Sequence, residues 1–91
     1  GGDPVLSKTV GAYIGEGVIA KDLGALQDRY PMLEIGSYPF FRQGKVGTSI
    51  VLRGVDADRL AAATEELKAI MRALGGEPIE ESQDHQDSAS G

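Results

Sequence analysis

The period of the apolar residues changes several times along this chain, and each change limits the fold. The first segment, "PVLSKTVGAYIG", alternates, with Leu6, Val10, Ala12 and Ile14 on one face and Lys8 as the exception. Alternation together with β-branched residues predicts a β-strand that is buried on one face. The chain therefore begins with a strand whose even-numbered residues enter a core.

The next segment, "EGVIAKDLGALQDRYP", has a helical period. Its apolar residues recur at spacings of four, three and four, which places Ile19, Leu23, Leu26 and Tyr30 on one stripe. Pro31 ends the pattern, because the residue before a proline resists the helical backbone conformation. We therefore predict an amphipathic helix that stops at the proline.

Two further alternating segments, "MLEIGSY" and "VGTSIVLRG", are separated by "RQGK". Gly44, within that separator, adopts a positive φ angle without steric cost, which favours a hairpin connection. We therefore predict two antiparallel neighbouring strands. The second strand turns Ile50 and Leu52 to the core and Val51 to the opposite face.

The clearest helical pattern is "DADRLAAATEELKAIMRALGG". Asp56 is a good N-cap residue, Asp58 lies in the first turn, where the helix dipole favours an acid, and Gly75 suits the position after the last turn. The apolar stripe consists of Leu60, Ala63, Leu67, Ile70, Met71 and Leu74. The following "EPIE" predicts a short strand at a sheet edge, because Pro78 cannot donate a ladder hydrogen bond.

The order strand, helix, strand, strand, helix and a short last strand predicts an α+β fold. We expect a two-layer sandwich of the ferredoxin-like or KH-like type, with an antiparallel or mixed sheet and two helices on one face. Residues 1–4 are predicted to be a remnant or linker, residues 5–80 a single domain, and residues 81–91 a disordered acidic tail. The second face of the sheet would carry Val51 and Tyr13.

The net charge of −5 originates at the C-terminal end of the chain. Residues 77–91 hold five of the fourteen acidic residues and none of the nine basic ones, so the rest of the chain is neutral. A neutral body lacks the basic surface that nucleic-acid binding requires. Because no apolar run reaches the roughly 18 residues of a membrane span and no signal peptide is visible, we predict a cytoplasmic domain.

Residues suited to catalysis or metal binding are scarce. The chain has no cysteine, and its one histidine, His85, lies in the predicted tail beside Asp84 and Asp87. Nucleophilic catalysis with histidine or cysteine and zinc binding are therefore excluded for the body of the domain. Glu16 and Glu34 remain as general acid–base candidates, but nothing in the sequence brings them together, and we interpret them as solvated carboxylates. We predict no catalytic residue, no metal site and no cofactor in this chain.

Two glycine-containing segments resemble ligand-binding loops. "GKVG", residues 44–47, matches the GxxG pattern with which KH domains clamp RNA, but it lies in a predicted hairpin and carries one cation, Lys45. "GAYIGEG", residues 11–17, joins a strand to a helix, where phosphate loops occur, but fits neither the Walker A nor the dinucleotide pattern. We interpret both as turns, and RNA clamping is the less favoured alternative.

Three of the five aromatic residues lie within four positions of the stretch "IGSYPFFRQGKVG". Three roles are open for them: packing in the core where the chain turns, contact with a partner domain, or stacking on a nucleotide or pterin ring. A cis bond before the proline of this stretch would bend the strand. The interface candidates are Tyr38, Pro39, Phe40, Phe41 and Val51.

Several phrases of the chain resemble the segment that follows the molybdopterin-binding-like domain in the competence/damage-inducible protein A family. They are Glu16 at the start of the first helix, "YP" at 30–31, "GSYP" at 36–39 and "LRG" at 52–54. The resemblance covers about residues 13–74. Gly17 departs from the family pattern, which has serine there, so the helix is expected to have a weaker cap.

The resemblance implies that the chain is a C-terminal piece of a larger protein and adopts a KH-like α+β structure. The family's phosphate- and pterin-type site lies in the preceding domain, so no catalytic residue carries over to this chain. Relatives of the family include nucleotide pyrophosphatases and the N-terminal part of eukaryotic FAD synthases, and such activity is expected only in the preceding domain. The family's separate C-terminal deamidase domain is expected to be missing.

We therefore predict a non-catalytic accessory or assembly module that docks on the preceding domain or on a second subunit. The alternative is direct binding of a nucleotide or pterin, and RNA binding is less favoured.

Overall fold

The computed structural model describes residues 2–81, in which two helices pack on one face of a four-stranded sheet. In chain order the elements are β1 (Leu6–Ala12), α1 (Glu16–Arg29), β2 (Glu34–Arg42), β3 (Lys45–Gly54), α2 (Ala57–Ala73) and β4 (Ile79–Glu81). The strand order is β2-β3-β1-β4, and all neighbours are antiparallel. The predicted α+β two-layer sandwich and its ferredoxin-like form are confirmed. β4 includes Glu81, which the sequence had assigned to the tail.

The helix boundaries follow the sequence signals. α1 ends directly before Tyr30, and Pro31 follows. α2 begins after Asp56, whose carboxylate accepts a hydrogen bond from a backbone N–H of the first turn at 3.1 Å, and Gly75 takes a φ of 90° after the last turn. The start of α1 is weakly capped, because its N-cap residue, Gly15, has no side chain to accept a hydrogen bond. Neither helix has the length and apolar character needed to cross a membrane, and no other helix occurs within residues 2–81.

The connection between β2 and β3 is a two-residue hairpin loop. Gln43 and Gly44 have φ angles of 54° and 76°, the pattern of a turn whose twist matches that of the strands it joins. β2 runs through Pro39 to the turn, and no cis peptide bond occurs in the described residues. Phe40 and Phe41 therefore point to opposite faces by ordinary strand alternation, without a bend.

The core lies between the helices and the sheet face that the even-numbered residues of β1 and β3 form. Thr48, buried on this face, donates a hydrogen bond to the carbonyl of Ile14 at 2.7 Å and so joins β3 to the loop before α1. Val46, next to the hairpin turn, is exposed despite its parity. The buried apolar residues are Val10, Ala12, Ile14, Ile19, Leu23, Leu26, Tyr30, Leu33, Ile50, Leu52, Leu60, Ala63, Leu67 and Met71.

A polar contact joins the two helices at the C-terminal end of α1. The Tyr30 hydroxyl donates to Oε2 of Glu66, and Nε of Arg29 donates to Oε1 of the same carboxylate at 2.9 Å. The hydrogen bond to Glu66, followed by burial, raises the pKa of Tyr30, and the same hydrogen bond lowers the pKa of Glu66. Elsewhere on α2, Lys68 pairs with Glu80 at 2.7 Å and links the helix to β4.

Replacing Tyr30 by Phe is expected to reduce the free energy of unfolding at neutral pH. This reduction should disappear at both pH extremes. Glu66 has a lowered pKa in the folded state, so its contribution is present above its unfolded pKa and disappears as the pH falls through the folded value. Tyr30 has a raised pKa, so its contribution is present below its unfolded pKa and disappears as the pH rises through the folded value. Denaturant unfolding of both proteins from about pH 3 to about pH 11 measures the difference.

Tyr13→Phe is the matched control, because the Tyr13 hydroxyl forms no side-chain hydrogen bond within residues 2–81. Between neutral and acidic pH the control should differ from the wild type by a constant amount, because no carboxylate accepts a hydrogen bond from the Tyr13 hydroxyl within residues 2–81. A pH-independent difference between Tyr30→Phe and the wild type would contradict the proposed role of the Glu66 contact.

Candidate functional site on the open sheet face

The sheet face opposite the helices has no second layer over it within residues 2–81. Alternation and strand pairing place five large side chains on this face, which we term the open face: Tyr13, Tyr38, Phe40, Val51 and Ile79. Tyr13, Tyr38 and Ile79 are 38%, 58% and 41% exposed, respectively. Exposed apolar area of this kind is typical of a contact surface.

The Phe40 ring lies against the backbone because the residues beneath it lack side chains. A Cβ atom at Gly47 would overlap this ring and lie 2.8 Å from the carbonyl oxygen of Ala12, and a Cβ at Gly11 would lie 3.7 Å from Cε2 of Phe40. The Tyr13 ring meets Phe40 edge to face, with ring centroids 5.4 Å apart and an interplanar angle of 79°. Two aromatic rings and two glycines thus form one packed unit on the open face.

Tyr38, two residues before Phe40 on the same face of β2, also packs against a glycine. A Cβ atom at Gly36 would lie 3.2 Å from the Tyr38 hydroxyl oxygen and 3.3 Å from its Cε2, so the ring folds back along its own strand. Only the small size of Gly36 permits this position. The ring is consequently supported by backbone on one side and exposed on the other.

Two cations cover the Tyr13 and Phe40 rings. The guanidinium carbon of Arg42 lies 4.5 Å from the Phe40 ring centroid, and Nζ of Lys45 lies 5.6 Å from the Tyr13 ring centroid. Arg42 and Lys45 are the cross-strand pair that closes the hairpin. Within the described part of the chain, neither forms an ion pair with a carboxylate.

The remaining two interface candidates lie on the other side of the hairpin. Pro39 pairs with Thr48 and Phe41 pairs with Val46, so both point to the helix side of the sheet. Phe41 is 73% exposed and Val46 56% exposed, because they lie at the hairpin end of their strands. The hairpin therefore carries exposed apolar residues on both of its faces.

The structure thus divides the five interface candidates between two surfaces. Three of them, Tyr38, Phe40 and Val51, share the open face, whereas Pro39 and Phe41 do not. None belongs to the buried core, so the alternative that these aromatic residues pack in the core is wrong.

The sequence analysis missed Ile79 as a member of the open face. β4 has only three residues, and the pairing of Ile79 with Gly11 is what places it on this face. A three-residue segment has too short an alternation to indicate its own orientation. Strand parity did anticipate Tyr13.

β2 forms one edge of the sheet, and a side chain partly covers its backbone. Nε2 of Gln27 donates to the carbonyls of Leu33 and Tyr30 at 2.7 and 3.1 Å, and its Oε1 accepts from the N–H of Ile35 at 3.2 Å. Pro39 has the same parity as Ile35, so the missing N–H of the proline is also on the outer side. Both features oppose pairing with a further strand. The open face is therefore more accessible than the β2 edge.

The other sequence candidates do not assemble into a catalytic site. Glu16 accepts a hydrogen bond from Ser37 at 2.5 Å on the helix side of the sheet. Glu34 pairs with Arg53 in the strand register and lies on the open face, so the two carboxylates are on different sides of β2. No group of three or more His, Cys, Asp or Glu residues within 2–81 could hold a metal.

Two further sequence candidates have simple outcomes. The GxxG pattern at 44–47 is a hairpin turn followed by the glycine beneath the Phe40 ring. His85, Asp84 and Asp87 lie outside the described residues.

Shallow clefts of about 500 and 260 Å³ lie near the start of β2, away from the aromatic rings.

Gly47→Ala is expected to destabilise the fold by about 1–3 kcal/mol, because the added methyl group overlaps the Phe40 ring. Gly24→Ala is the matched control. It lies on the exposed side of α1 with nothing within 4 Å of an added Cβ, so alanine should stabilise the helix by up to about 1 kcal/mol. Urea unfolding compares the two variants. Equal stability of Gly47→Ala and the wild type would contradict the packing described here.

Gln27→Ala is expected to cost about 1–3 kcal/mol, because it leaves the Ile35 N–H without its partner. Native-state hydrogen exchange should then show a larger loss of protection at Ile35 than at Leu52, in the sheet interior, whose protection falls only with the global stability. Unchanged exchange at Ile35 would show that the Gln27 side chain does not cover the edge in solution.

Comparison with known proteins identifies the family to which this chain is similar. The family model described as "FAD synthase, middle domain" matches residues 4–75. No curated protein matches the chain. A solved structure described as "De novo designed protein Foldit4" is similar with a TM-score of 0.63, covering 85% of this chain and 92% of that chain at 13% identity, which shows the fold alone. The family match confirms the coarser part of the resemblance, a family related to the molybdopterin-binding-like proteins.

Proposed function

Since the chain belongs to the FAD synthase middle-domain family, we propose that it is a non-catalytic assembly module that binds an adjacent domain of the same protein through its open face. The observation that carries this proposal is the exposure of Tyr13, Tyr38 and Ile79 on an uncovered sheet face. The family's description as a middle domain favours an adjacent domain as the occupant. Covalent linkage gives such a domain a high effective concentration at the open face.

The packing of the rings supports a docking role. Tyr13 and Phe40 hold each other edge to face, and Tyr38 rests on the backbone at Gly36. Side chains that are already ordered lose little conformational entropy when a partner covers them, so more of the contact energy remains as affinity. Aromatic residues are also the residue type most enriched at the centres of interfaces.

The finer family assignment is part of the proposal. The phrases "GSYP" at 36–39 and "LRG" at 52–54 favour a protein of the competence/damage-inducible protein A type, with a KH-like designation for this segment. In that protein, any nucleotide pyrophosphatase-like chemistry would belong to a neighbouring molybdopterin-binding-like domain, and the protein would be cytoplasmic. This chain would contribute position and assembly, not bond-making residues.

The double variant Tyr13→Ser/Tyr38→Ser should release the docked domain in the protein that carries this chain with its neighbours. Loss of two aromatic anchors should weaken docking by at least tenfold, on the order of 1–2 kcal/mol per anchor. NMR relaxation and small-angle scattering measure whether the domains tumble together. Phe41→Ser is the control, because it removes an even more exposed ring from the helix side of the hairpin.

Each result has a distinct meaning. Release by the open-face variant but not by Phe41→Ser supports the proposal. If the open-face variant instead changes a concentration-dependent oligomer and leaves domain docking intact, the occupant is a second copy. Unchanged docking and oligomeric state in both variants would exclude the proposed function.

A further inference from the structure

We propose that Arg42 and Lys45 form a carboxylate-binding pair at the hairpin end of the open face, so that the segment that docks there is acidic. This inference rests on the proposed docking function and specifies the chemistry of the partner. It concerns the rim of the open face, whereas the docking function itself concerns the aromatic residues.

The two cations are held in place before any partner arrives. They are directly opposite each other at the end of β2 and the start of β3, and both point to the open face. The Arg42 guanidinium lies over Phe40 and the Lys45 ammonium lies near Tyr13. A guanidinium stacked on a ring keeps the N–H donors around its rim available for a planar, bidentate carboxylate contact.

No acidic residue of the open face within residues 2–81 pairs with these two cations. Glu34 lies at the opposite end of β2 from Arg42, eight residues away, which is about 26 Å along a strand and beyond the screening length of about 8–10 Å in ordinary salt. The Glu81 carboxylate is nearer, but it accepts a hydrogen bond from Ser49 and forms no ion pair with Arg42 or Lys45. The pair is therefore free to bind a carboxylate of a partner.

The surroundings of the pair favour a protein carboxylate over the phosphate of a nucleotide or RNA. Bases bind such surfaces by stacking on uncovered aromatic rings. Phe40, the ring next to Arg42, is enclosed by Gly47, Tyr13 and Arg42, and the exposed ring of Tyr38 lies four residues from Arg42 along β2. A base stacked on Tyr38 therefore lies away from the cation pair. A carboxylate needs no free ring and contacts the guanidinium directly.

The spacing along β2 suggests how such a segment would bind. Tyr38, Phe40 and Arg42 are alternate residues of one strand, so the exposed ring, the enclosed ring and the cation follow each other on the open face. An extended segment in which residues i and i+2 are apolar and residue i+4 is acidic presents all three side chains on one face. It would place an apolar group on Tyr38 and a carboxylate between Arg42 and Lys45. The matching spacing of about 6–7 Å between alternate residues is a property of any two strands.

The test is an NMR titration of the 91-residue chain with a blocked peptide that has Leu at residues i and i+2, Glu at residue i+4 and Ser between them. The same peptide with Gln in place of Glu is titrated in parallel. Concentrations up to about 5 mM cover the range of a weak single-segment contact. The Glu peptide should shift the side-chain signals of Arg42 and Lys45 and should bind about tenfold more tightly than the Gln peptide. Raising the salt from about 50 to about 500 mM should weaken the Glu peptide selectively.

The variant Arg42→Gln/Lys45→Gln should remove the preference for the Glu peptide. Arg53→Gln is the matched control, because Arg53 is a cation of the same face of β3 at its other end and lies opposite Glu34. The control should keep the preference. If the double variant does not unfold cooperatively like the wild type, Lys45→Gln alone serves in its place.

The outcomes separate this inference from the proposed function. Equal binding of the two peptides, no binding of either, or an unchanged preference in the double variant overturns the carboxylate pair. In that case the Tyr13→Ser/Tyr38→Ser experiment still decides whether the open face docks a domain. Larger shifts with AMP than with the Glu peptide would also overturn the inference and identify phosphate as the ligand.

Discussion

The burial of one sheet face beneath two helices is the constraint on which the rest of the structure depends. Val10, Ile50 and Leu52 are fully buried on that face, and within residues 2–81 helices α1 and α2 provide the only layer that covers it. A domain of this size encloses a single core, so the opposite face is left to solvent or to a partner. The candidate site lies on the open face because a domain with a single core covers only one face of its sheet.

Much of the fold could be predicted because apolar period is a local property of the sequence. The two helical stripes, the hairpin at Gly44 and the parity of β1 are visible within short segments. The contact of Gln27 with Ile35 could not be predicted, because it depends on how α1 lies against the edge of the sheet. Val46 shares the parity of the core residues Ile50 and Leu52, and its exposure depends on where the helical layer ends.

The sequence indicated several residues of the candidate site but not that they lie on two different faces of the hairpin. Tyr38, Phe40 and Phe41 were recognised as a group because they are close in sequence. Alternation nevertheless separates Phe41 from the other two, and continuing the parity of Ile35 along the strand would have indicated this. The role of Gly47 was hidden, because a glycine's contacts appear only when a neighbouring strand supplies the ring that covers it.

The covering of the β2 edge has a consequence for the stoichiometry of any assembly. A sheet with an open edge can recruit copies of itself without limit and grow into a fibre. Gln27 acts as a terminating group on one stretch of that edge, and Pro39 removes a donor from another. Growth by strand pairing needs two open edges on every copy, so blocking the β2 edge is enough to stop it.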